Sequence, residues 1–205
     1  MKKFELTSDS IVDIFGKKLF RIKALVEFGN VKEGELGGFV EKEENLSHEG
    51  DAWVYGNARV YGNAKVYGNA WVYGNARVCD DAWVCDDARV YGDAWVSGDA
   101  WVYGNAKVYG NAWVYGNARV YGNARVSGDA RVYGDADYAT VKGFGTEYRT
   151  TTFFKCKDGI VRVRCGCFYG DLEEFRNQVK NTRKGKIADE YLMIADLMEK
   201  HFKEK

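Results

Sequence analysis

The sequence predicts a mainly β fold: a left-handed parallel β-helix with an N-terminal β cap and a C-terminal ββαα unit. Three observations predict it, namely a six-residue repeat, fourteen valines in strict register from Val54 to Val132, and the absence of proline. The repeat unit reads Asn or Asp, Ala, a variable residue, Val, usually Tyr and usually Gly. Such a period fits a short strand followed by a corner, and it fits neither an α-helix nor a hairpin meander.

Side-chain alternation assigns an inside and an outside to every repeat unit. Ala and Val lie two residues apart and face the same way, so these small apolar side chains are expected to fill the interior. The variable residue and Tyr then face outward, and Gly with Asn or Asp makes the corner, because these residues tolerate left-handed backbone geometry. Three hexads per coil would give nearly five triangular coils, stacked about 4.8 Å apart.

The flanking segments differ from the repeat array. The predicted domains are an N-terminal cap, the β-helix and a C-terminal domain, at 1–50, 51–137 and 138–205. The cap is needed because the open edge of a solenoid would otherwise recruit other chains. It contains a predicted strand pair at about Lys18 to Val26 and the segment Leu36–Val40. Val40 and Leu46 lie one hexad apart, so the coil is expected to begin near residue 38, with a two-residue insertion before Val54.

The C-terminal segment is predicted to hold a β-hairpin and two helices. The hairpin pairs Thr150–Cys156 with Ile160–Cys167 around Asp158-Gly159, which is a strong turn signal. Asp171 is expected to cap the first helix, and the second spans about Ile187 to Phe202. We interpret this ββαα unit as a small domain, a second cap or an oligomerisation element.

Charge and hydropathy exclude several classes of protein. Lys and Arg number 30, as do Asp and Glu, so the chain lacks the cationic surplus of a general nucleic-acid binder. No apolar run approaches the roughly 20 residues that span a bilayer, and the first residues are too polar for a secretory signal. We therefore expect a cytoplasmic protein with no membrane partner and with reduced cysteines.

The outward variable positions are the candidate binding residues. Stacking every third hexad places a tryptophan pair beside a cation in each of three columns. Such columns allow aromatic stacking and cation–π contacts, each worth about 0.5–1 kcal/mol at exposed sites. The predicted binding residues are Trp53, Trp71, Trp83, Trp95, Trp101, Trp113, Arg59, Arg77, Arg89 and Arg119.

Two interpretations of these columns stay open. In the first, aromatic and basic side chains stabilise a flat parallel sheet by packing on their neighbours. In the second, they form a binding surface for a protein partner, a nucleotide base or a sugar. Residues 51–137 hold 8 basic and 10 acidic residues, which argues against a general nucleic-acid surface. The corner Asn and Asp side chains are expected to form hydrogen-bonded ladders, and no spacing specifies a metal.

The sequence offers no catalytic constellation. Its two histidines, His48 and His201, lie outside the regular hexads. The cysteines show no zinc-ligand spacing and no activating base, so we interpret them as repeat drift or packing residues: Cys79, Cys85, Cys156, Cys165 and Cys167. We expect no enzyme, no cofactor and no metal.

The hexads resemble the left-handed β-helix superfamily, whose best-known members are acyltransferases that use a His projecting from a coil as general base. No coil position here is His, so this resemblance implies the fold and carries over no catalytic residue. Further similarity lies outside the hexads, in Phe20–Leu25, Phe28–Lys32, Gly34–Glu41, Glu44–Ser47, Gly50–Val54 and Gly166–Phe175. These segments resemble a bacterial and prophage hexapeptide-repeat family, often labelled polymer-forming or putative transferase on the fold alone.

These observations give one leading hypothesis and two alternatives. The leading hypothesis is a non-enzymatic phage or prophage accessory protein that presents its aromatic and basic columns to a host factor, such as a defence component, and inhibits it. The first alternative is a trimeric, acyltransferase-like enzyme, and the second is a nucleotide-binding sponge. Exposed aromatic faces and an amphipathic last helix also favour a homo-oligomer, either a dimer or a trimer.

Overall fold

The N-terminal strands continue one face of a parallel β-solenoid. The computed structural model describes residues 1–203. In it β1 (Phe4–Val12) and β2 (Lys18–Ala24) pair antiparallel, and β2 pairs antiparallel with β3 (Leu36–Val40). The strand pair predicted at about Lys18 to Val26 is wrong, because one strand lies there and its partner is β1. The middle of β1 is polar and shows no apolar alternation, so the sequence pattern gave no sign of a strand.

Fourteen two-residue strands, β4 to β17, form the solenoid. Each consists of a variable residue and its valine: Trp53–Val54, Arg59–Val60, Lys65–Val66, Trp71–Val72, Arg77–Val78, Trp83–Val84, Arg89–Val90, Trp95–Val96, Trp101–Val102, Lys107–Val108, Trp113–Val114, Arg119–Val120, Arg125–Val126 and Arg131–Val132. They form three parallel ladders, β5-β8-β11-β14-β17, β4-β7-β10-β13-β16 and β6-β9-β12-β15, in which each strand pairs with the one 18 residues further along. The protein is thus mainly β, a parallel solenoid of about five turns.

Valine and alanine fill the interior of the solenoid, which confirms the predicted inside. Every repeat valine from Val54 to Val132 and every repeat alanine from Ala52 to Ala130 is fully buried. The corner glycines from Gly56 to Gly128 adopt positive φ, and at two corners Asp80 (φ 60°) and Asp86 (φ 57°) replace glycine. Their carboxylates accept backbone N–H groups of the next turn at 3.1 and 3.0 Å, which offsets part of the cost of a left-handed residue with a Cβ.

The N-terminal strands and loop cover the first turn of the solenoid. Val40 of β3 pairs with Val60, and Leu46 bridges to Val66, so these pairs are 20 residues apart and confirm the two-residue insertion. Lys3 and Asn45 each donate two side-chain hydrogen bonds to carbonyl oxygens of the first turn. Backbone groups that lack a preceding turn are therefore satisfied by side chains of the cap.

The C-terminal unit has four strands and two helices. They are β18 (Tyr138–Phe144), β19 (Arg149–Lys155), β20 (Val161–Cys165), β21 (Phe168–Asp171), α1 (Leu172–Thr182) and α2 (Gly185–Lys203). The strands form one antiparallel meander. The two predicted helices and the hairpin of β19 with β20 are confirmed, whereas the predicted number of strands is wrong, because the unit is ββββαα. The predicted second hairpin strand is split by a turn at Gly166 (φ 60°), and β18 starts immediately after the last hexad.

The first helix begins as the sequence predicts. The Asp171 carboxylate accepts the Glu174 N–H at 2.8 Å, and the Glu174 carboxylate accepts the Asp171 N–H at 2.8 Å, which is a capping box. Within residues 1–203, no helix combines the length and the apolar character needed to cross a bilayer.

Strand β19 joins the two cores and covers the last turn. Phe154 packs into the solenoid core, whereas Phe153 packs with the helices in a second core. The Thr152 hydroxyl accepts the backbone N–H of Arg125 at 3.0 Å, and the Asp135 carboxylate accepts that of Arg119 at 2.8 Å. Side-chain acceptors thus satisfy the free backbone N–H groups of the last turn, as side-chain donors of the cap satisfy the free carbonyl groups of the first turn.

Candidate functional site

The predicted binding tryptophans differ sharply in exposure. Trp53 is fully buried, so the expectation that it faces solvent is wrong. It does point outward from the first turn, but the cap lies over it, with Phe4 and Phe28 edge-on at ring distances of 6.2 and 5.4 Å. Three of the others, Trp71, Trp83 and Trp95, are half-buried. Trp101 and Trp113 are the most exposed, at 37% and 40%.

The first tryptophan ladder runs Arg59, Arg77, Trp95, Trp113, Arg131 along one face. The Arg77 guanidinium lies 5.5 Å from the Trp95 ring, and that of Arg131 lies 4.5 Å from the Trp113 ring. The two tryptophans are therefore held between two cations. With neighbouring corner residues, the ladder lines a groove of about 520 Å³.

The two rings of the first ladder meet edge to face, at 5.1 Å and 62°. Cys79 stands where the repeat usually has tyrosine, and Trp95 packs against it. The Trp95 indole N–H donates to the Cys79 sulfur at 3.1 Å. Cys79 is thus a packing residue for the tryptophan on the neighbouring turn.

The second tryptophan ladder runs Lys65, Trp83, Trp101, Arg119 on another face. Its two indoles stack at 4.9 Å with an interplanar angle of 5°. Lys65 lies 5.6 Å from the Trp83 ring and Arg119 lies 5.6 Å from the Trp101 ring. The strand register places a tryptophan pair in each of the three columns, as predicted, and among the six tryptophans this is the one pair with parallel, stacked rings.

The basic ladder, on the third face, runs Trp71, Arg89, Lys107, Arg125. Arg89 lies 4.9 Å from the Trp71 ring, but Lys107 and Arg125 meet only further cations along the ladder. Burial, followed by the charges of Arg125 and Arg89, lowers the pKa of Lys107. Three consecutive like charges distinguish this face from the other two.

The basic ladder forms one wall of a groove of about 960 Å³, and the C-terminal unit forms the other. The second wall contributes Lys142, Tyr148 and Arg149. The groove is therefore lined by five cationic side chains and by one carboxylate, that of Asp87. The predicted site residues omitted Lys107, Arg125, Lys142 and Arg149.

Tyrosine columns and corner ladders complete the outer surface. The rings of Tyr73, Tyr91 and Tyr109 stack at 4.7 and 4.8 Å, nearly parallel. Corner amides donate to carboxylates one turn further on, as Asn75 does to Asp93 at 3.1 Å. The predicted hydrogen bonding along the corner ladder is confirmed by this pair and by the equivalent Asn111–Asp129 pair, at 3.2 Å.

Neither the buried cysteines nor His48 has the environment of a reactive group. Burial raises the pKa of the Cys79 and Cys156 thiols to about 11, which keeps both protonated at neutral pH. The Nδ1 atom of His48 accepts the backbone N–H of Lys3 at 3.1 Å, and its Nε2 lies 2.7 Å from the Glu43 carboxylate. Both ring nitrogens are thus engaged within the cap. No group of three or more potential metal ligands occurs in residues 1–203.

One known family of repeats matches the solenoid. The YdcK Beta solenoid repeat matches overlapping segments of the array, at residues 52–68, 64–80, 70–86, 82–98, 88–104, 100–116, 112–128 and 124–136. A search of the curated proteins found no match. The match covers the solenoid and neither flanking segment, so it supports a β-helix repeat array in this part of the chain.

Proposed function

We propose that this chain is a non-enzymatic binding protein whose first and second tryptophan ladders dock a protein partner. The observation that carries the proposal is the placement of paired, partly exposed indoles between cations, on two faces of a rigid solenoid. Tryptophan and arginine dominate the binding energy of protein interfaces. Here both side-chain types are already ordered by contacts with the adjacent turns, so docking them costs little conformational entropy.

Stabilisation of the sheet does not by itself explain why the two most exposed positions of the ladders hold tryptophan. Trp101 and Trp113 retain 37% and 40% of their surface although the sheet offers them neighbours on both sides. Valine or threonine at these positions would satisfy the sheet propensity of the strand with less exposed apolar surface. The indoles therefore offer contact area beyond what the ladder needs.

We propose a bacterial host factor, such as a defence component, as the partner, and the host cytoplasm as the location. The support is the resemblance of the flanking segments to phage and prophage hexapeptide-repeat proteins. We further propose that the solenoid winds left-handed with three hexapeptides per coil, which the 18-residue strand register and the positive-φ corners support. Self-association as a dimer or trimer is part of the same proposal, since the ladders offer aromatic surface to a second copy.

Affinity capture with ladder variants tests the proposal. We expect a Trp95→Ser/Trp113→Ser variant, or a Trp83→Ser/Trp101→Ser variant, to lose the proteins that wild type captures from a bacterial lysate. The matched control is Tyr121→Ser/Tyr133→Ser, which removes two exposed aromatic rings from the tyrosine columns.

If both tryptophan variants retain every captured protein, the tryptophan ladders are not the docking surface. Light scattering of each variant separates a host partner from a second copy of the chain. A thermal shift with acyl-CoA that disappears in His48→Ala would instead support the acyltransferase alternative, although the engaged ring nitrogens of His48 speak against it.

A further inference from the structure

Repulsion between neighbouring cations of the basic ladder destabilises the folded protein. Arg89, Lys107 and Arg125 occupy directly opposite positions on adjacent parallel strands, so their Cα atoms are separated by about 4.8 Å per step. Like charges that face each other across strands destabilise a sheet. Burial lowers the pKa of Lys107, and the charges of Arg125 and Arg89 lower it further.

Nothing in the described chain compensates these charges with a carboxylate. Within residues 1–203, the ion pairs leave out Arg89, Lys107, Arg125 and Lys142. The one carboxylate in the groove, Asp87, accepts a hydrogen bond from Asn69 in the corner ladder at 3.2 Å. On the other two faces four of the cations lie over indole rings, and here Lys107 and Arg125 have no such ring; those four are Lys65, Arg77, Arg119 and Arg131.

The C-terminal unit adds charge of the same sign to the opposite wall. Lys142 of β18 and Arg149 of β19 line the groove, and both side chains are exposed. Arg149 has a long contact of 3.7 Å with the exposed carboxylate of Glu147. The two walls come from separate parts of the chain, so the charge concentration arises only when the C-terminal unit packs against the solenoid.

We propose that this groove binds a small anion that carries two or more phosphate groups. Arginine presents a planar fork of donors that suits phosphate oxygens, and lysine adds a compact point charge. A volume of about 960 Å³ is in the range of small-molecule sites. This site is separate from the tryptophan ladders and does not depend on the proposed function.

A nucleic-acid strand fits the same face less well. Extended backbone binding needs a long stripe of cations along the surface, and this ladder presents only three in a row, Arg89, Lys107 and Arg125. The groove therefore favours a compact oligophosphate. An inorganic oligophosphate and a nucleoside triphosphate share this chemistry, and Tyr148, which lines the groove and is exposed, offers a ring to the base of the latter.

Calorimetric titration of the full chain with inorganic tripolyphosphate tests the proposal, with ATP and a single-stranded oligonucleotide as further ligands. We expect saturable binding of tripolyphosphate that weakens as salt is added. Lys107→Gln and Arg149→Gln should each weaken it about fivefold, since each removes one charge contact from a different wall. Tighter binding of ATP than of tripolyphosphate would identify the ligand as a nucleotide.

Lys65→Gln is the matched control, because Lys65 is the other lysine at a variable repeat position and lies in the second tryptophan ladder. It should leave tripolyphosphate binding unchanged. Without ligand, Lys107→Gln should melt at or above the wild-type temperature, which shows that weaker binding is not due to unfolding. Absence of binding to wild type, equal weakening by Lys65→Gln, or binding of the oligonucleotide without tripolyphosphate would each overturn the proposal.

Discussion

Replacement of Trp53 separates the structural tryptophan from those on the surface. Trp53 is fully buried between the first turn and the cap, whereas Trp113 occupies the same repeat position and is 40% exposed. Truncating a buried Trp to Ala costs about 3–5 kcal/mol, because both burial and packing are lost. Trp113→Ala loses a half-exposed ring and one cation–π contact, for which we expect about 1 kcal/mol.

These energies translate into separable melting temperatures. For a chain of this size, 1 kcal/mol corresponds to a shift of about 2–4 °C. We therefore expect Trp53→Ala to lower the melting temperature by about 6–20 °C and Trp113→Ala by about 2–4 °C, measured by circular dichroism. Trp53→Phe, which keeps an aromatic ring against Phe4 and Phe28, should fall between them.

The location of the damage provides a second measurement. Since Trp53 supports the N-terminal strands, limited proteolysis of Trp53→Ala should cut within residues 1–50 before it cuts the solenoid. Equal melting temperatures for Trp53→Ala and Trp113→Ala, or proteolysis that begins in the C-terminal unit, would refute the view that the cap rests on Trp53.

Three further predictions concern charge, corners and thiols. Burial lowers the pKa of Lys3 to about 8, so the native state binds fewer protons than the unfolded chain above that pH. The free energy of unfolding should therefore rise between pH about 8 and about 10, by at most about 1.4 kcal/mol per pH unit, and urea titrations of Lys3→Met should lack this rise. Gly110 (φ +69°) and Gly122 (φ +65°) are matched corners. A Cβ added at Gly110 would lie 3.0 Å from the backbone of the next turn, whereas one added at Gly122 would meet no atom within 4 Å. Gly110→Ala should thus lower the free energy of unfolding by about 1 kcal/mol more than Gly122→Ala, as measured in urea. With iodoacetamide at neutral pH, exposed Cys167 should be alkylated at once and buried Cys79 only on unfolding, as followed by peptide mass spectrometry.

Each of these predictions has a clear contrary result. If the free energy of unfolding of Lys3→Met still rises with pH, a group other than Lys3 causes the rise. Equal effects of the two glycine substitutions would mean that backbone conformation alone sets the cost at the corners. Rapid alkylation of Cys79 in the native protein would contradict its burial.

The solenoid could be predicted from the sequence because each inward position repeats without exception. Valine and alanine in strict alternation define one buried side, and the register follows from the period. The same period places Arg89, Lys107 and Arg125 in one column, so these neighbours were predictable from the sequence. Lys142 and Arg149 were not, because their approach depends on how β18 and β19 fold against the last turn.

The sequence pattern did not predict the exposure of a residue that a distant segment of the chain covers. Trp53 has the same local pattern as Trp113, and it is buried because the cap, with Phe4 of β1 and Phe28 of the following loop, folds over the first turn. Likewise, the hydrogen bond from the Trp95 indole to Cys79 joins two turns, and a column of variable residues does not reveal it. Local propensity determines the direction of a side chain, whereas long-range packing determines its exposure.

The 18-residue strand register restricts how the length of this protein can vary. Insertion or deletion of one whole turn of 18 residues keeps every later strand on its own ladder. Loss of a single hexad would transfer all later strands to the neighbouring face. Where the lost hexad lies between Lys107 and the C-terminal unit, Lys142 and Arg149 would meet a different ladder, and Lys107 would no longer share a groove with them. Variants that grow or shrink by complete turns are therefore the ones in which the surface chemistry survives.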